Sequence, residues 1–314
     1  MRRIVLISAV ALTAACVPAP EVQPAQDKVP AEVVQPIAAP LAAPAPPPAP
    51  VPAPAPPPEP AGPTTFVFSG ELTQGGWMRG QAPGGAVSAQ LGEQALALDE
   101  EGRFFAAFDR DSGPSATLRA TLASGAVIES PLAIAPRDWN IERVNVARRA
   151  GGPSEAFMRI RRPELARIGA ARAVESDVEG WRQDFVWPAT GRISGRFGSQ
   201  RIYRGEPGSY HSGLDIAGAT GTPFVAPADG VVVLATDEPF SLEGNLLIVD
   251  HGMGLNSAFL HLSEIAVREG DRVRQGQMLG RIGATGRATG PHLHWSLKWR
   301  DARLDPLLFT GPMG

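Results

Sequence analysis

Short apolar or alternating runs, separated by turns, follow one another between residues 65 and 136. They occupy residues 66–68, 86–90, 104–108, 116–121 and 126–128. Glycine- and proline-rich turns such as the one at 83–85 lie between them. Short strands at this spacing are typical of antiparallel sandwiches. The pattern therefore predicts a small, immunoglobulin-like β-sandwich domain over residues 65–136.

Residues 137–184 are richer in arginine, glutamate and alanine. The stretch 163–175 has the composition of a helix, with Pro163 near its start, where a missing amide hydrogen is tolerated. We predict a short helical connector over this part of the chain. We expect its arginines to form a solvent-exposed face rather than a binding patch.

Residues 185–314 again favour strands. This part is dense in glycine and β-branched residues, and the runs 231–234, 246–249 and 294–297 are predicted strands. The stretch 270–277 is a predicted tight β-turn unit. The chain is therefore predicted to be mainly β, with a second folded unit that contains little helix.

Proline and alanine dominate the segment 17–64, for example at 44–48. Proline lacks a backbone donor and favours the extended polyproline II conformation, so the segment is predicted to be a disordered linker rather than a packed domain. Such a linker would reach on the order of 100 Å. A proline-rich ligand for a partner protein is the alternative.

The segment 1–16 has the layout of a secretion signal. Basic residues precede a short apolar run over residues 4–12, which is too short to cross a bilayer as a stable helix. The following Thr13-Ala-Ala-Cys16 resembles the lipobox of bacterial lipoproteins, although leucine is usual at the position of Thr13. The resemblance implies a lipid anchor at Cys16 and a periplasmic protein at a membrane surface of the cell envelope. An ordinary cleaved signal peptide is the alternative.

Net charge and cysteine content limit which partners and which stabilising bonds the chain can have. The 314 residues carry a net charge of -3, so nothing in the composition indicates a nucleic-acid partner. Cys16 is the only cysteine, which excludes an intrachain disulfide. The stability of the fold must therefore come from its core and from any metal that it binds.

All five histidines of the chain lie within its last third. Four of them fall in three clusters, which are His211 with Asp215, then His261, then His292 with His294. In an extended strand, residues two or four apart lie on the same face. Imidazole is a common zinc ligand, and a catalytic zinc usually has three protein ligands and one open position. The sequence predicts one zinc site, but the spacing does not decide which of His292 and His294 binds the metal.

Several further stretches accompany these clusters in a fixed order. They are Arg196-Phe-Gly198, His211-Ser-Gly-Leu-Asp-Ile216, Val225-Ala-Pro-Ala-Asp-Gly230, Val249-Asp-His-Gly252, Leu260-His-Leu-Ser263, Gly270-Asp-Arg-Val273 and Gly290-Pro-His-Leu-His294. With them, residues from about 187 to 299 resemble the M23 metallopeptidases, the LytM or lysostaphin-like family. The resemblance implies a peptidase domain over 185–314 that is built on an antiparallel β-sheet.

In that family, the positions equivalent to His211, Asp215 and His294 hold zinc, and those equivalent to His261 and His292 stand beside the metal and act in catalysis. The resemblance implies the same roles here. All five residues are present, so the pattern of an active enzyme is intact. Zinc suits peptide hydrolysis because it polarises a carbonyl and activates water near neutral pH, and histidines suit proton transfer.

Three other features receive narrower interpretations. Tyr203 and Tyr210 are the only tyrosines, and by resemblance Tyr203 is the expected catalytic helper. His251 is not a ligand in the family and is expected to be a hydrogen-bonded structural residue. The glycine-rich stretch 283–290 lacks the Gly-Lys-Ser/Thr ending of a phosphate loop, and we interpret it as a turn.

The resemblance implies a zinc-dependent endopeptidase that hydrolyses stem peptides or crossbridges of peptidoglycan during cell-wall remodelling. A periplasmic lipoprotein favours the crosslink between D-alanine and a diamino acid. The alternative is an autoinhibited or non-catalytic activator of cell-wall amidases, with a regulatory partner in the envelope. Residues 267–277 also resemble the hairpin of biotinyl carriers, but they contain no lysine to carry a cofactor, which excludes that function.

Overall fold

The computed structural model describes residues 61–148 and 152–313. The predicted signal peptide, the anchor at Cys16 and nearly all of the predicted linker lie outside these residues. Pro57–Gly314 forms one compact unit. Over the described ranges, every helix is too short or too polar to cross a membrane.

Residues 61–136 form two antiparallel sheets. One sheet has the order β1-β2-β5 and the other β4-β3-β6-β7. The strands are β1 (Val67–Gly70), β2 (Trp77–Gln81), β3 (Ala86–Leu91), β4 (Gln94–Leu96), β5 (Arg103–Ala107), β6 (Ser115–Leu122) and β7 (Val127–Ala133). The five predicted runs correspond to β1, β3, β5, β6 and β7. Strands β2 and β4 escape prediction because β2 mixes arginine, glycine and glutamine, and β4 has only three residues.

Strand β5 is buried on both of its faces. Phe104 packs edge-to-face on Phe66, with ring centroids 5.9 Å apart, inside the sandwich. Phe105 points to the opposite side and contacts Trp299 and Phe309, both at 6.4 Å. A single hydrophobic core therefore runs from the sandwich into the C-terminal part of the chain.

The connector region contains both a strand and a helix. Strand β8 (Ile141–Val144) lies here, followed by helix α1 (Glu155–Arg172). The helix begins eight residues before Pro163, because the hydroxyl of Ser154 caps it by accepting a hydrogen bond from the amide of Phe157 at 3.1 Å. The expectation that Pro163 stands near the helix start is wrong, since Pro163 lies inside the helix.

A large antiparallel sheet organises the C-terminal part. Its order is β18-β14-β15-β16-β20-β12-β9, with β21 paired to β20. Its strands are β9 (Ile193–Gly195), β12 (Leu214–Ala217), β14 (Gly230–Ala235), β15 (Asn245–Asp250), β16 (Leu255–Leu262), β18 (Arg272–Val273), β20 (His292–Trp299) and β21 (Ala302–Leu304). The predicted runs 231–234, 246–249 and 294–297 lie within β14, β15 and β20. The mainly β, antiparallel fold is confirmed.

Two smaller sheets flank the large one. Strands β13 (Pro223–Val225), β19 (Met278–Arg281) and β17 (Glu264–Ile265) form an antiparallel sheet in the order β13-β19-β17. The hairpin of β10 (Gln200–Tyr203) and β11 (Glu206–Tyr210) is extended by β8, which pairs with β10 in parallel. The connector thus contributes a strand to the part of the chain that precedes His211.

Helix α1 packs on one face of the large sheet. Its Ala171 and Ile168 contact a cluster on β15 and β16 that contains Leu246, Ile248 and Ala258. Arg161, also on this helix, is buried between two carboxylates, and Glu243 accepts two hydrogen bonds from it at 2.6 and 2.7 Å. The expectation that all arginines of the connector are solvent-exposed is therefore wrong.

Candidate metal centre and active site

Strand register places the predicted ligands side by side. Asp215 on β12 is the direct cross-strand partner of His294 on β20. His294 is in turn opposite Leu260 on β16. His261 is the next residue along β16. His211 follows directly after β11, on the segment that leads into β12. Four separate elements thus converge on one point of the sheet.

The carboxylate of Asp215 lies at the centre of this group. Its Oδ1 atom is 3.1 Å from Nε2 of His211 and 2.8 Å from Nδ1 of His294. The possible ligand atoms of the three residues all lie within 4.8 Å of one another. The structure therefore brings together the three residues that the family resemblance implied as metal ligands.

The donor set fits zinc. Two nitrogens and one carboxylate oxygen are ligands that zinc accepts in catalytic sites, and a tetrahedral zinc places neighbouring ligand atoms about 3.3 Å apart. The separations of 2.8 and 3.1 Å are close to this value. Nδ1 of His211 donates to the carbonyl of Arg196 at 3.1 Å, which orients the ring and directs Nε2 towards Asp215.

Two glycines make room for this arrangement. A Cβ atom on Gly213 would lie 2.6 Å from Nε2 of His294 and 2.6 Å from the carbonyl oxygen of Trp295. A Cβ atom on Gly195 would collide with the carboxylate of Asp215. The sequence alone did not indicate either role, because both depend on contacts between distant parts of the chain.

His261 and His292 stand together beside the proposed ligands. Their ring centroids are 4.9 Å apart, and the ring of His261 is 6.2 Å from that of His294. Nδ1 of His261 donates to the carbonyl of Thr285 at 2.8 Å, and Nδ1 of His292 donates to the carbonyl of Gly290 at 2.8 Å. These bonds leave both Nε2 atoms free of carbonyl partners.

The backbone of His261 is strained. Its φ angle of 65° lies in the left-handed region, which costs a residue with a side chain on the order of 1–2 kcal/mol. Its amide donates to the carbonyl of Glu243 at 2.8 Å, and this bond helps to hold the unusual conformation. Strained residues of this kind concentrate at functional sites.

The pKa values of the two proposed histidine ligands shift in opposite directions. Burial opposes ionisation of Asp215, but hydrogen bonds from His211 and His294 hold its pKa well below the ordinary value. Burial also acts against protonated His211, yet the hydrogen bond to Asp215 raises its pKa. Burial lowers the pKa of His294 in spite of the same partner, and burial lowers the pKa of His261 as well.

His251 lies apart from this group. It is fully buried, its Nδ1 donates to the carbonyl of Asp229 at 2.7 Å, and its Nε2 accepts from the hydroxyl of Ser257 at 2.8 Å. Burial lowers the pKa of His251 to about 4. The expected structural, hydrogen-bonded role agrees with these contacts.

A groove of about 1030 Å³ opens on one side of the site. It is lined by Tyr203, Tyr210, His211, Asp215 and Arg287 among others. Both tyrosines of the chain therefore face the same groove, and the choice of Tyr203 over Tyr210 as a helper stays a prediction. Arg287 lies in the glycine-rich turn 283–290, where the sequence pattern gave no sign of a role at the site.

A partly buried His-Asp-His group that could hold a metal ion thus lies beside two more histidines, on an antiparallel sheet with an open groove. Residues 209–306 match Peptidase family M23. This part of the chain is a peptidase family M23 domain.

Two curated relatives resemble this domain. Peptidoglycan DD-endopeptidase ShyA of Vibrio cholerae is 39% identical over 126 residues, which cover 39% of this chain and 28% of the relative. The lipoprotein NlpD/LppB homolog of Pseudomonas aeruginosa is 36% identical over 132 residues, covering 42% of this chain and 40% of the relative. The chain thus spans well under half the length of these relatives.

A solved crystal structure resembles more of the chain. It comes from Pseudomonas aeruginosa, is described as peptidase M23, and is 29% identical to this chain with a TM-score of 0.59. The similarity covers 76% of this chain and 95% of that chain. The shared fold therefore extends beyond the family match at 209–306.

Proposed function

We propose that this protein is a zinc-dependent endopeptidase that hydrolyses peptide crosslinks of peptidoglycan in the cell envelope. The observation that carries the proposal is the convergence of His211, Asp215, His261, His292 and His294 in one cluster of an M23 domain. The similarity to a protein named peptidoglycan DD-endopeptidase supports the substrate class.

In this proposal, His211, Asp215 and His294 hold the metal. The chemistry that zinc would supply when bound there is Lewis-acid polarisation of the scissile carbonyl and a lower pKa of water. The ionised carboxylate of Asp215 contributes a negative charge, which favours a divalent cation. Gly213 and Gly195 keep the space that these side chains need.

His261 and His292 perform the proton transfers and stabilise developing charge. Both rings are fixed through Nδ1 by backbone carbonyls, so each presents Nε2 as the working atom. A neutral ring accepts the proton of the attacking water at Nε2, and a protonated ring donates from Nε2 to the carbonyl oxygen or the leaving amine. Tyr203, which lines the adjoining groove, is proposed as an additional hydrogen-bond donor.

The location belongs to the same proposal. A lipid anchor at Cys16 followed by a proline-rich linker would hold the peptidase at a periplasmic membrane surface and let it reach the cell wall. The similarity to a protein named lipoprotein NlpD/LppB homolog supports an anchored form. The DD-endopeptidase relative favours the crosslink formed by D-alanine.

The alternative is an activator of cell-wall amidases that is non-catalytic or autoinhibited and acts with a regulatory partner. A non-catalytic module of this fold would be expected to lack a ligand or to hold its histidines apart. Here the two nitrogens are 2.8 and 3.1 Å from the carboxylate of Asp215, and an open groove adjoins them. This geometry favours the enzyme.

Digestion of purified peptidoglycan tests the proposal. The chain from Val17 onward should release crosslink-derived peptide ends, identified by mass spectrometry, and should contain about one zinc ion per molecule. His294→Ala and a chelated sample should both be inactive. His251→Gln, which removes a histidine outside the cluster, should retain cleavage. Stoichiometric zinc without cleavage by the wild type would favour the activator.

A further inference from the structure

A second groove, of about 700 Å³, starts at the histidine cluster and runs beneath helix α1. Its walls include Ser212 and His294 at one end and Arg172, Lys298 and Arg303 at the other. We name it the basic groove, after the last three residues. It is distinct from the groove that contains Tyr203 and Tyr210.

Strand register brings the cations of the basic groove together. Lys298 on β20 is the direct partner of Asn256 on β16 and of Arg303 on β21. These three residues therefore form one row across the sheet. From the last turn of α1, Arg172 reaches the same row and donates to Oδ1 of Asn256 at 2.7 Å.

Few carboxylates balance these charges. Lys298 has Asp301 at 3.5 Å, but the side chain of Asp301 is fully exposed. Within the described part of the chain, neither Arg172 nor Arg303 has a carboxylate at salt-bridge distance. The other acidic residues of the groove are already paired, because Glu243 is held by Arg161 and Glu175 faces Arg300 at 4.0 Å.

The cations also repel one another. Burial, together with the charge of Arg303, lowers the pKa of Arg172 to about 10. Burial and the charge of Arg172 lower the pKa of Lys298. Arg172 and Lys298 are partly buried like charges with few counter-ions, which is unfavourable, and a bound anion would offset this cost.

The distance from the histidine cluster suits a peptide. His294, Ser296 and Lys298 alternate along β20 and share one face, so Lys298 lies about 13 Å from His294 along the strand. This is the length of about four extended residues. Arg303 provides a planar guanidinium that matches a carboxylate, and Lys298 adds a point charge.

We propose that the basic groove binds a free carboxylate of the substrate peptide, within about four residues of the bond that is cut. The inference rests on the proposed peptidase function and names a specificity element for it. Peptidoglycan stem peptides carry such carboxylates on their glutamate and diamino-acid residues. The groove would therefore select stem peptides with free carboxylates over amidated ones.

Steady-state cleavage of two crosslinked stem-peptide dimers tests the proposal, one with free carboxylates and one with the carboxylates amidated. In Lys298→Gln/Arg303→Gln, KM for the free form should rise about tenfold, since charge-assisted hydrogen bonds are lost, while kcat stays within about twofold. KM for the amidated form should not change. Arg162→Gln, at an exposed arginine of helix α1, is the control for loss of a positive charge and should behave as wild type.

Calorimetry with an uncrosslinked stem peptide measures binding to the basic groove independently of cleavage. Wild type should bind the free form about tenfold more tightly than the amidated form, and the double variant should lose this preference. Equal affinity for both forms, or an unchanged KM in the double variant, would overturn the proposal. Charge-dependent binding without any cleavage by the wild type would refute the peptidase function and leave the groove as a carboxylate site.

Discussion

Gly213 shows how a residue without a side chain can control the candidate metal centre. It stands between His211 and Asp215, and the ring of His294 occupies the space beside its Cα atom. The sequence motif is visible at once, but the reason for the glycine is a contact with a residue 81 positions further along the chain. Only the folded structure shows this contact.

We predict that Gly213→Ala lowers zinc affinity at least tenfold, because the new methyl group displaces His294 from Asp215. Competition with a chelator measures the affinity, and peptidoglycan digestion measures the loss of activity. Gly113→Ala is the control, since a Cβ atom there meets nothing within 4 Å. Wild-type zinc affinity in Gly213→Ala would contradict the geometry described for the site.

At the scale of elements, helix α1 supports the short loop that contains Glu243. Arg161 forms a bidentate pair with Glu243, and its Nη1 atom also donates to Glu164 at 2.9 Å. The carbonyl of Glu243 accepts the amide of His261, so the helix is linked to a proposed catalytic residue through one short loop. Arg161 and Glu164 flank Pro163, and these contacts stabilise the helix across the missing hydrogen bond.

We predict that Arg161→Leu lowers the free energy of unfolding by about 3 kcal/mol, because two buried carboxylates lose their partner. We also expect kcat to fall, since the loop that holds His261 loses its attachment. Arg162→Leu, which affects an exposed ion pair on the same helix, should change stability by less than about 1 kcal/mol. Urea denaturation and steady-state cleavage of both variants check this expectation.

At the scale of the whole molecule, aromatic contacts join the sandwich to the peptidase domain. Phe309 is buried against Trp77 and Phe185, with ring centroids 5.3 Å away in both cases, and against Phe105. Trp77 also donates from its indole nitrogen to the carbonyl of Leu308 at 2.7 Å. Such a continuous core predicts that both parts unfold together.

We predict that Phe309→Ala costs about 3–5 kcal/mol of stability and that the protein still unfolds in one transition. Tryptophan fluorescence and far-ultraviolet circular dichroism should give the same urea midpoint. Val87→Ala, at an exposed strand position in the sandwich, should change stability by about 0.5 kcal/mol or less. Two separate transitions in the wild type would show that the parts are independent.

His251 predicts a pH dependence of stability. Its pKa is lowered to about 4 in the fold, whereas an unfolded histidine titrates near 6.5. Between these values the unfolded chain binds the extra proton, so stability falls as pH decreases. We expect a loss of about 3 kcal/mol across this window, measured by urea denaturation. In His251→Gln this component should disappear, and an unchanged pH profile would contradict the assignment.

Much of the architecture was predictable from local patterns. The strands that correspond to predicted runs have continuous or alternating apolar residues, and this pattern is a property of each segment alone. The start of α1 was not predicted, because proline is unfavourable inside a helix and its presence indicates a helix start. The cap at Ser154 and the ion pairs around Pro163 outweigh this unfavourable position. The burial of Arg161 was not predicted, because its partner Glu243 is 82 positions away and no local pattern indicates the pair.

The sequence by itself determined the strand-rich fold class and the five polar residues that meet at the candidate site, since residue type and spacing carry both. The tertiary structure decided what depends on contacts across strands. It placed Asp215 between His211 and His294, fused the sandwich core to the peptidase domain, and aligned Arg172, Lys298 and Arg303 in one groove. These contacts arise from sheet register and packing, which join residues too far apart in the chain for any local pattern to record.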